Sequence, residues 1–337
     1  MSAVPDHGGS LARADALFPQ APQPWIDLST GINPHAYPFS PLPATAFSRL
    51  PEPADIAKLA SIAAASYGVP DSAHIACGPG TQILLPLVMR LVEPGRATVL
   101  SPTYAEHARA AALVGHEVTE TSMFEALYEA DLAVVVNPNN PDGRVVSRQQ
   151  LLHLARHLHA KGGLLVVDEA FMEVGPREQS LAGDVSGGGL VVLRSFGKFF
   201  GLAGVRLGFV IADQARAAWL NAQLGPWAVA GPTVQIASEA LADEAWKHAM
   251  RQRLTGEAAR LDNLLMSRGL EVAGGTNLFR FVRSPNAAAL FQHFGRHGIL
   301  VRPFRFDADV LRIGLPADEA AFGRLAEALD VFEVEPA

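Results

Sequence analysis

The strongest constraint on this chain is a series of short runs that are apolar toward both sides. Leu132–Val136, Leu164–Val167 and Leu190–Leu193 contain no polar residue, and His74–Cys77, Ala97–Leu100 and Gly208–Ile211 extend the series. A strand without polar alternation has to be covered on both faces. Helical patterns lie in the intervals, at Asp55–Tyr67, Tyr104–Val114 and Ser147–Lys161. Strand and helix in turn predict an α/β unit around a mainly parallel sheet. Pro86, inside the helix expected after Gly80, predicts a kink or a short first turn.

From about residue 233 the pattern changes. Trp246, Met250, Leu254, Ala258, Leu261 and Leu265 repeat at intervals of three or four, which is one apolar stripe on a long helix. Short strands follow at Leu278–Phe281, Ile299–Val301 and Val310–Ile313, and a last helix begins near Ala317. This reads as a smaller α+β domain. Residues 1–53 are rich in Pro and Gly yet carry apolar anchors such as Trp25, Ile26 and Leu28, as an ordered arm does. The expected division is an arm at 1–45, a large domain at 46–232 and a small domain at 233–337. There is no internal repeat and no low-complexity tract.

Composition bounds the function. The 337 residues carry a net charge of -7, which argues against a nucleic-acid binder, since that needs a basic face, while a pocket on an acidic protein can still be locally basic. Cys77 is the single cysteine, so an intrachain disulfide and a cysteine-rich metal site are excluded, and no metal is expected. No run of 18 apolar residues predicts a membrane span, and Met1 to Ser10 lacks the pattern of a secretory signal. The expectation is a cytoplasmic protein. Lysine occurs only at Lys58, Lys161, Lys198 and Lys247.

Candidate chemistry gathers where apolar strands run into polar loops, the usual place for a site in an open α/β sheet. Val134–Val136 leads into Asn137-Pro138-Asn139-Asn140-Pro141; this suits a turn, and Asn140 also offers an amide to a ligand. Leu164–Val167 ends in Asp168, an acid that is costly there unless paired. Val191–Leu193 leads through Arg194-Ser195-Phe196-Gly197 to Lys198, set among aromatic and small residues. A desolvated lysine loses its proton readily and becomes nucleophilic. Ser195 and Arg206 flank it with donors suited to a phosphate. Gly78-Pro79-Gly80-Thr81-Gln82 lies between a strand and a helix, where backbone N–H groups favour an anion, although such turns are common.

A lysine, an acid for a ring nitrogen, a donor for a phenolic oxygen and phosphate ligands are the parts that pyridoxal 5'-phosphate requires. Asn140, Asp168 and Lys198, in that order and 28 and 30 residues apart, resemble the fold-type I pyridoxal-phosphate enzymes of the aspartate aminotransferase superfamily over essentially the whole chain. The resemblance implies that Lys198 links to the cofactor aldehyde and later moves protons. It implies that Asp168 faces the ring nitrogen, Asn140 the phenolic oxygen, and Tyr104 the ring face. Gly80, Thr81, Ser195 and Arg206 are implied to hold the cofactor phosphate, with Gln82 in the same cofactor-binding set. Arg312 resembles the arginine that takes a substrate carboxylate, and Arg302 a second anion-binding arginine.

Two positions depart from the pattern. Phe171 stands where many relatives have a tyrosine whose hydroxyl reaches the phenolic oxygen. Leu50-Pro51-Glu52 stands where relatives often place a tyrosine that serves the neighbouring subunit. Within the superfamily the chain is most similar to the histidinol-phosphate aminotransferase branch. His7-Gly8-Gly9-Ser10 and Asp27-Leu28-Ser29-Thr30-Gly31-Ile32-Asn33-Pro34 resemble the threonine-phosphate decarboxylases of cobalamin biosynthesis. That resemblance implies a small phosphorylated amino acid as substrate, loss of CO2, and a homodimer. His7, Gly8, Ser29, Thr30, Asn33 and Asn140 then join Arg302 and Arg312 as expected substrate ligands. An aminotransferase acting on histidinol phosphate or on amino acids generally uses the same parts and stays open as the alternative.

Overall fold

A computed structural model describes residues 7–332. The chain divides into two compact units. One comprises Ala36–Asn140 and Val145–Lys247. The other comprises the residues through His35, the four residues Pro141–Arg144, and the chain from His248 onward.

Chain order begins with β1 (Ile26–Asp27), a strand of the second unit. The first unit is built on β2 (Ile75–Gly78), β3 (Arg96–Leu100), β4 (Glu117–Thr121), β5 (Leu132–Val136), β6 (Leu164–Asp168), β7 (Leu190–Ser195) and β8 (Gly208–Ile211). They form one sheet in the order β2-β8-β7-β6-β5-β3-β4. Pairing is parallel from β7 through β6, β5 and β3 to β4, and antiparallel where β8 meets β7 and β2. Every residue of β5 and β6 is buried, as strands covered on both faces must be. Leu84, Leu85, Val88 and Met89 of the helix Thr81–Met89, with Leu220, pack against Val99, Val134, Val166 and Val191. Pro86 lies inside that helix, which continues for three residues beyond it. Lacking an N–H, it cannot bond the carbonyl of Gln82.

Two expected helices form with nearly the expected bounds. Pro53–Tyr67 ends at Gly68, whose left-handed φ of 69° suits the C-terminal cap. Arg148–Ala160 starts at Ser147, whose hydroxyl accepts from the Gln150 N–H, and it buries Leu151, Leu154, Ala155 and Leu158. The strand β4 has no counterpart among the expected ones. Its sequence, Glu-Val-Thr-Glu-Thr, has no buried position and occupies the edge of the sheet.

The second unit holds an antiparallel sheet made of β9 (Glu271–Thr276), β10 (Phe279–Arg283), β12 (Arg302–Pro303) and β13 (Val310–Gly314), in the order β12-β13-β10-β9. Between them in sequence, β11 (Ile299–Leu300) pairs in parallel with β1. Met250, Leu254, Ala258, Leu261 and Leu265 are buried, so the stripe on the helix Glu244–Met266 is core. The early chain is bound firmly into this unit. Leu28 N–H donates to Leu300 O at 2.8 Å, and Gly314 N–H donates to Leu28 O at 2.7 Å. The Arg324 guanidinium donates to the carbonyls of Pro22, Pro24 and His297 at 2.7 to 2.9 Å.

Candidate active site

In the first unit, sheet register sets the site. Gly208 pairs with Gly78 on one side and Ser195 on the other, so the loops leaving β2 and β7 and entering β8 meet at one end of three adjacent strands. The approach is close. A Cβ on Gly208 would stand 2.5 Å from Thr81 N, and one on Gly80 would stand 2.6 Å from Arg206 Nη2. Gly80 has φ +91°, and Arg206 at +56° is the one non-glycine residue with positive φ among those described. Such a conformation is unfavourable for a side chain and persists only where the surrounding structure holds it. Gly80, Thr81, Ser195 and Arg206 are thereby brought together as a group of backbone and side-chain donors.

Lys198 follows β7 on the single turn Phe196–Phe199. Aromatic packing holds that turn: Phe196 stacks on Phe200 at 4.6 Å, and Phe200 on Trp246 at 5.7 Å. A Cβ on Gly197 would stand 2.7 Å from Ala203 Cα, which leaves room only for glycine. Lys198 Nζ lies 5.9 Å from the centre of the Phe171 ring. Asp168 is paired with Leu193 in the parallel register of β6 and β7, so Asp168 and Lys198 lie at the same end of two neighbouring strands. Of the other lysines, Lys58 is exposed and Lys161 donates to Tyr128 O at 2.6 Å. Lys247 is buried, with Ser66 Oγ, Leu241 O and Glu244 Oε1 as acceptors at 2.8, 2.7 and 2.5 Å. Those three acceptors account for its burial structurally.

Asp168 ends β6 and is partnered by a residue to which the sequence reading assigned no role. His107, with 0% exposure, places Nε2 2.9 Å from Asp168 Oδ2. Its Nδ1 has no hydrogen-bond partner. A neutral imidazole protonated on Nε2 fits this, because it donates to the carboxylate and buries no N–H unmet. Ala170 N–H donates to Asp168 Oδ1 at 3.0 Å. Tyr104 lies edge-on to His107, with ring centres 5.8 Å apart. Its hydroxyl donates to Gln82 Oε1 at 3.0 Å, and Gln82 Nε2 donates to the buried Glu106 at 2.5 Å. Gln82 thus holds Tyr104 in place. Burial, helped by Glu106 and Asp168, pushes the Tyr104 phenol up to about 12, so it remains protonated at neutral pH. Asn140 follows Asn139, whose amide is fixed by Pro102 O and by the Thr103 hydroxyl at 3.0 and 2.6 Å.

Behind these groups, Arg194 and Glu169 pair at 3.1 Å and lock the ends of β7 and β6. Glu169 also accepts from Ser180 Oγ and the Leu181 N–H, each at 2.7 Å. Burial pushes the Glu169 carboxyl up, against the pull of Arg194 and those donors.

In the second unit, Arg302 and Arg312 stand directly opposite each other on β12 and β13. Opposed positions share a face, so two cations are held side by side. Arg312 is 7% exposed and donates to Ser29 O at 2.6 Å. Burial, with Arg302 adding repulsion and Asp27 opposing it, draws its guanidinium down to about 10. Arg302 is likewise drawn down by burial, Arg13 and Arg305. The last two arginines were not singled out in the sequence. Ser29, Thr30 and Asn33 follow β1 in the same unit, and Asn33 Oδ1 accepts the His35 N–H at 2.9 Å. His7 and Gly8 also belong to this unit.

Residues 53–329 match the family model described as aminotransferase class I and II. The chain belongs to that family. Over 335 residues it is 44% identical to a threonine-phosphate decarboxylase from Pseudomonas aeruginosa, covering 98% of this chain and 99% of the relative. A threonine-phosphate decarboxylase from a Sinorhizobium species is 42% identical over 337 residues, covering 99% of this chain and all of the relative. The fold is shared with a histidinol-phosphate aminotransferase from Sinorhizobium meliloti solved in complex with pyridoxal-5'-phosphate, at 22% identity and a TM-score of 0.75, over 85% of this chain and 83% of the other. Pyridoxal 5'-phosphate is the cofactor. The glycine-lined donor group at Gly80 and Gly208, the amine of Lys198 and the buried Asp168 carboxylate fit it in charge and chemistry.

Proposed function

We propose that the chain catalyses loss of CO2 from L-threonine O-3-phosphate, giving (R)-1-amino-2-propanol O-2-phosphate for cobalamin biosynthesis. The observation that carries this reading is the opposed pair Arg302 and Arg312. Two neighbouring cations, both lowered by burial, match a small molecule bearing a carboxylate and a phosphate. The near-full-length likeness to two threonine-phosphate decarboxylases supports it.

Each group has a role that its surroundings suit. Gly80, Thr81, Ser195 and Arg206 hold the cofactor phosphate, and Asn140 holds the phenolic oxygen. Asp168, held in orientation by His107 and the Ala170 N–H, would face the ring nitrogen and favour its protonated form. Tyr104 covers the ring face. Lys198 would hold the cofactor through its amine, and the same amine would be placed to return a proton to Cα once CO2 has left. The cofactor supplies an electron sink for the pair released when the carboxylate leaves. Arg312 takes the carboxylate and Arg302 the phosphate, with His7, Gly8, Thr30, Asn33 and Asn140 completing the substrate set; Ser29, whose hydroxyl and N–H both go to Asp27, supports that set without donating to the substrate. The protein works as a homodimer in the cytoplasm. Phe47 and Leu50, 70% and 62% exposed, are apolar side chains that a second copy would cover.

The test is incubation of holoenzyme with L-threonine O-3-phosphate and no 2-oxo acid. Release of one CO2 per amine product is expected. Turnover that requires a 2-oxo acid acceptor and leaves the carboxylate in place would instead establish an aminotransferase.

A further inference from the structure

Ser29 is 1% exposed, and its hydroxyl has a single proton to donate. That proton goes to Asp27. Ser29 Oγ lies 2.6 Å from Asp27 Oδ1, which also accepts the Ser29 N–H at 2.9 Å. A carboxylate only accepts, so it draws the hydroxyl proton toward itself and turns an oxygen lone pair outward. The Gly9 N–H donates to that oxygen at 2.7 Å. On its other side, the Ser29 carbonyl receives Arg312 Nη2 at 2.6 Å. Asp27 thus reaches the glycine segment on one side and the buried arginine on the other through a single residue.

The segment fits no other way. A Cβ on Gly8 would stand 2.4 Å from Ser29 O. Gly9 has φ +86°, and a Cβ there would press on Thr30 Cγ2 at 3.2 Å. The Gly8-Gly9 pair is therefore a docking surface for the turn, whose hydroxyl is already committed to Asp27 and is no donor for an anion.

We propose that Asp27 is a positioning residue for substrate recognition: by orienting the Ser29 hydroxyl to accept the Gly9 N–H, it docks residues 7–9 on the turn that holds Arg312. This rests on the reading of Arg312 and His7 as substrate ligands. Its signature is selective. Loss of one hydrogen bond to a charged group is worth about tenfold, and it falls on KM.

Asp27→Ala is expected to raise KM for L-threonine O-3-phosphate about tenfold, with kcat changed less than about twofold. Ser29→Ala, which keeps the backbone carbonyl, should do the same and stands in if Asp27→Ala does not fold. The double variant should be no worse than either single one, because both remove one chain of bonds. Asp27→Asn retains an accepting Oδ1 and should restore most of the affinity. Independently, hydrogen exchange in holoenzyme without substrate should show the Gly9 amide protected in the parent and unprotected in Asp27→Ala and Ser29→Ala. Additive losses in the double variant, a fall in kcat at constant KM, or unchanged Gly9 protection would each overturn the proposal. Should the parent fail to turn over the phosphorylated substrate, the functional reading fails, and the exchange measurement alone decides the docking.

Discussion

Replacing Arg312 with methionine separates function from stability. Burial and Arg302 draw this guanidinium from 12.5 to about 10, which corresponds to about 3 kcal/mol of unfavourable interaction felt by the cation. The sign follows directly. The depressed value means the charged form is disfavoured in the folded chain, so at pH 8 the whole cost is present, and it is relieved only as pH climbs from about 10 toward 12.5. Methionine removes that cost and keeps an apolar stem beside Phe279, whose ring centre is 5.2 Å from Arg312 Cζ. Against this, the bond to Ser29 O is lost, worth about 1.5 to 3 kcal/mol. The two effects nearly cancel. Denaturant titration of the holoenzyme should place the variant within about 1.5 kcal/mol of the parent. In the same preparation, kcat/KM for L-threonine O-3-phosphate should fall on the order of a hundredfold or more, because a desolvated charge contact to the substrate is gone. A loss of stability above about 3 kcal/mol with kcat/KM nearly intact would refute the reasoning and make Arg312 a structural arginine.

Further outcomes follow from the same geometry. Binding of an amine-free phosphorylated hydroxy acid should be flat from pH 8 to 9.5 and weaken above about pH 10, as the Arg312 cation is lost; an inhibition constant that stays level to pH 11 contradicts this. Tyr104, at about 12, does not titrate in that window. His107→Leu removes the donor to Asp168 Oδ2 and should lower kcat about tenfold or more, with a changed absorbance of the bound cofactor; an unaltered spectrum speaks against the pairing. Gly208→Ala places a methyl 2.5 Å from Thr81 N and should weaken cofactor binding at least about tenfold, seen by dialysis and reconstitution.

The parts that were legible in the sequence are those where burial leaves no freedom. β5, β6 and β7 are buried along almost their whole length, so their composition alone separates them from helix and loop. Asn140, Asp168 and Lys198 stood out as candidates because each lies at or just beyond the end of one of these strands. β4 was not legible, since an edge strand half open to water needs no apolar run. Nor was β9, in which Gly274 and Gly275 replace the side chains that announce a strand. The antiparallel direction of β8 is invisible locally, because Gly208–Ile211 reads like its parallel neighbours. His107 left one trace, a histidine three residues after Tyr104 on an otherwise apolar helix face. That it meets Asp168, 61 residues later, is a property of the sheet. The bond from Gly9 to Ser29 is of the same kind, joining two glycine-rich turns that look flexible in isolation.

Reduction of the holoenzyme with borohydride, followed by digestion and mass spectrometry, tests the central claim most directly. The account predicts a pyridoxyl phosphate mass on the peptide containing Lys198 and on no other. Its appearance on the peptide of Lys58, Lys161 or Lys247, or on none, would contradict it.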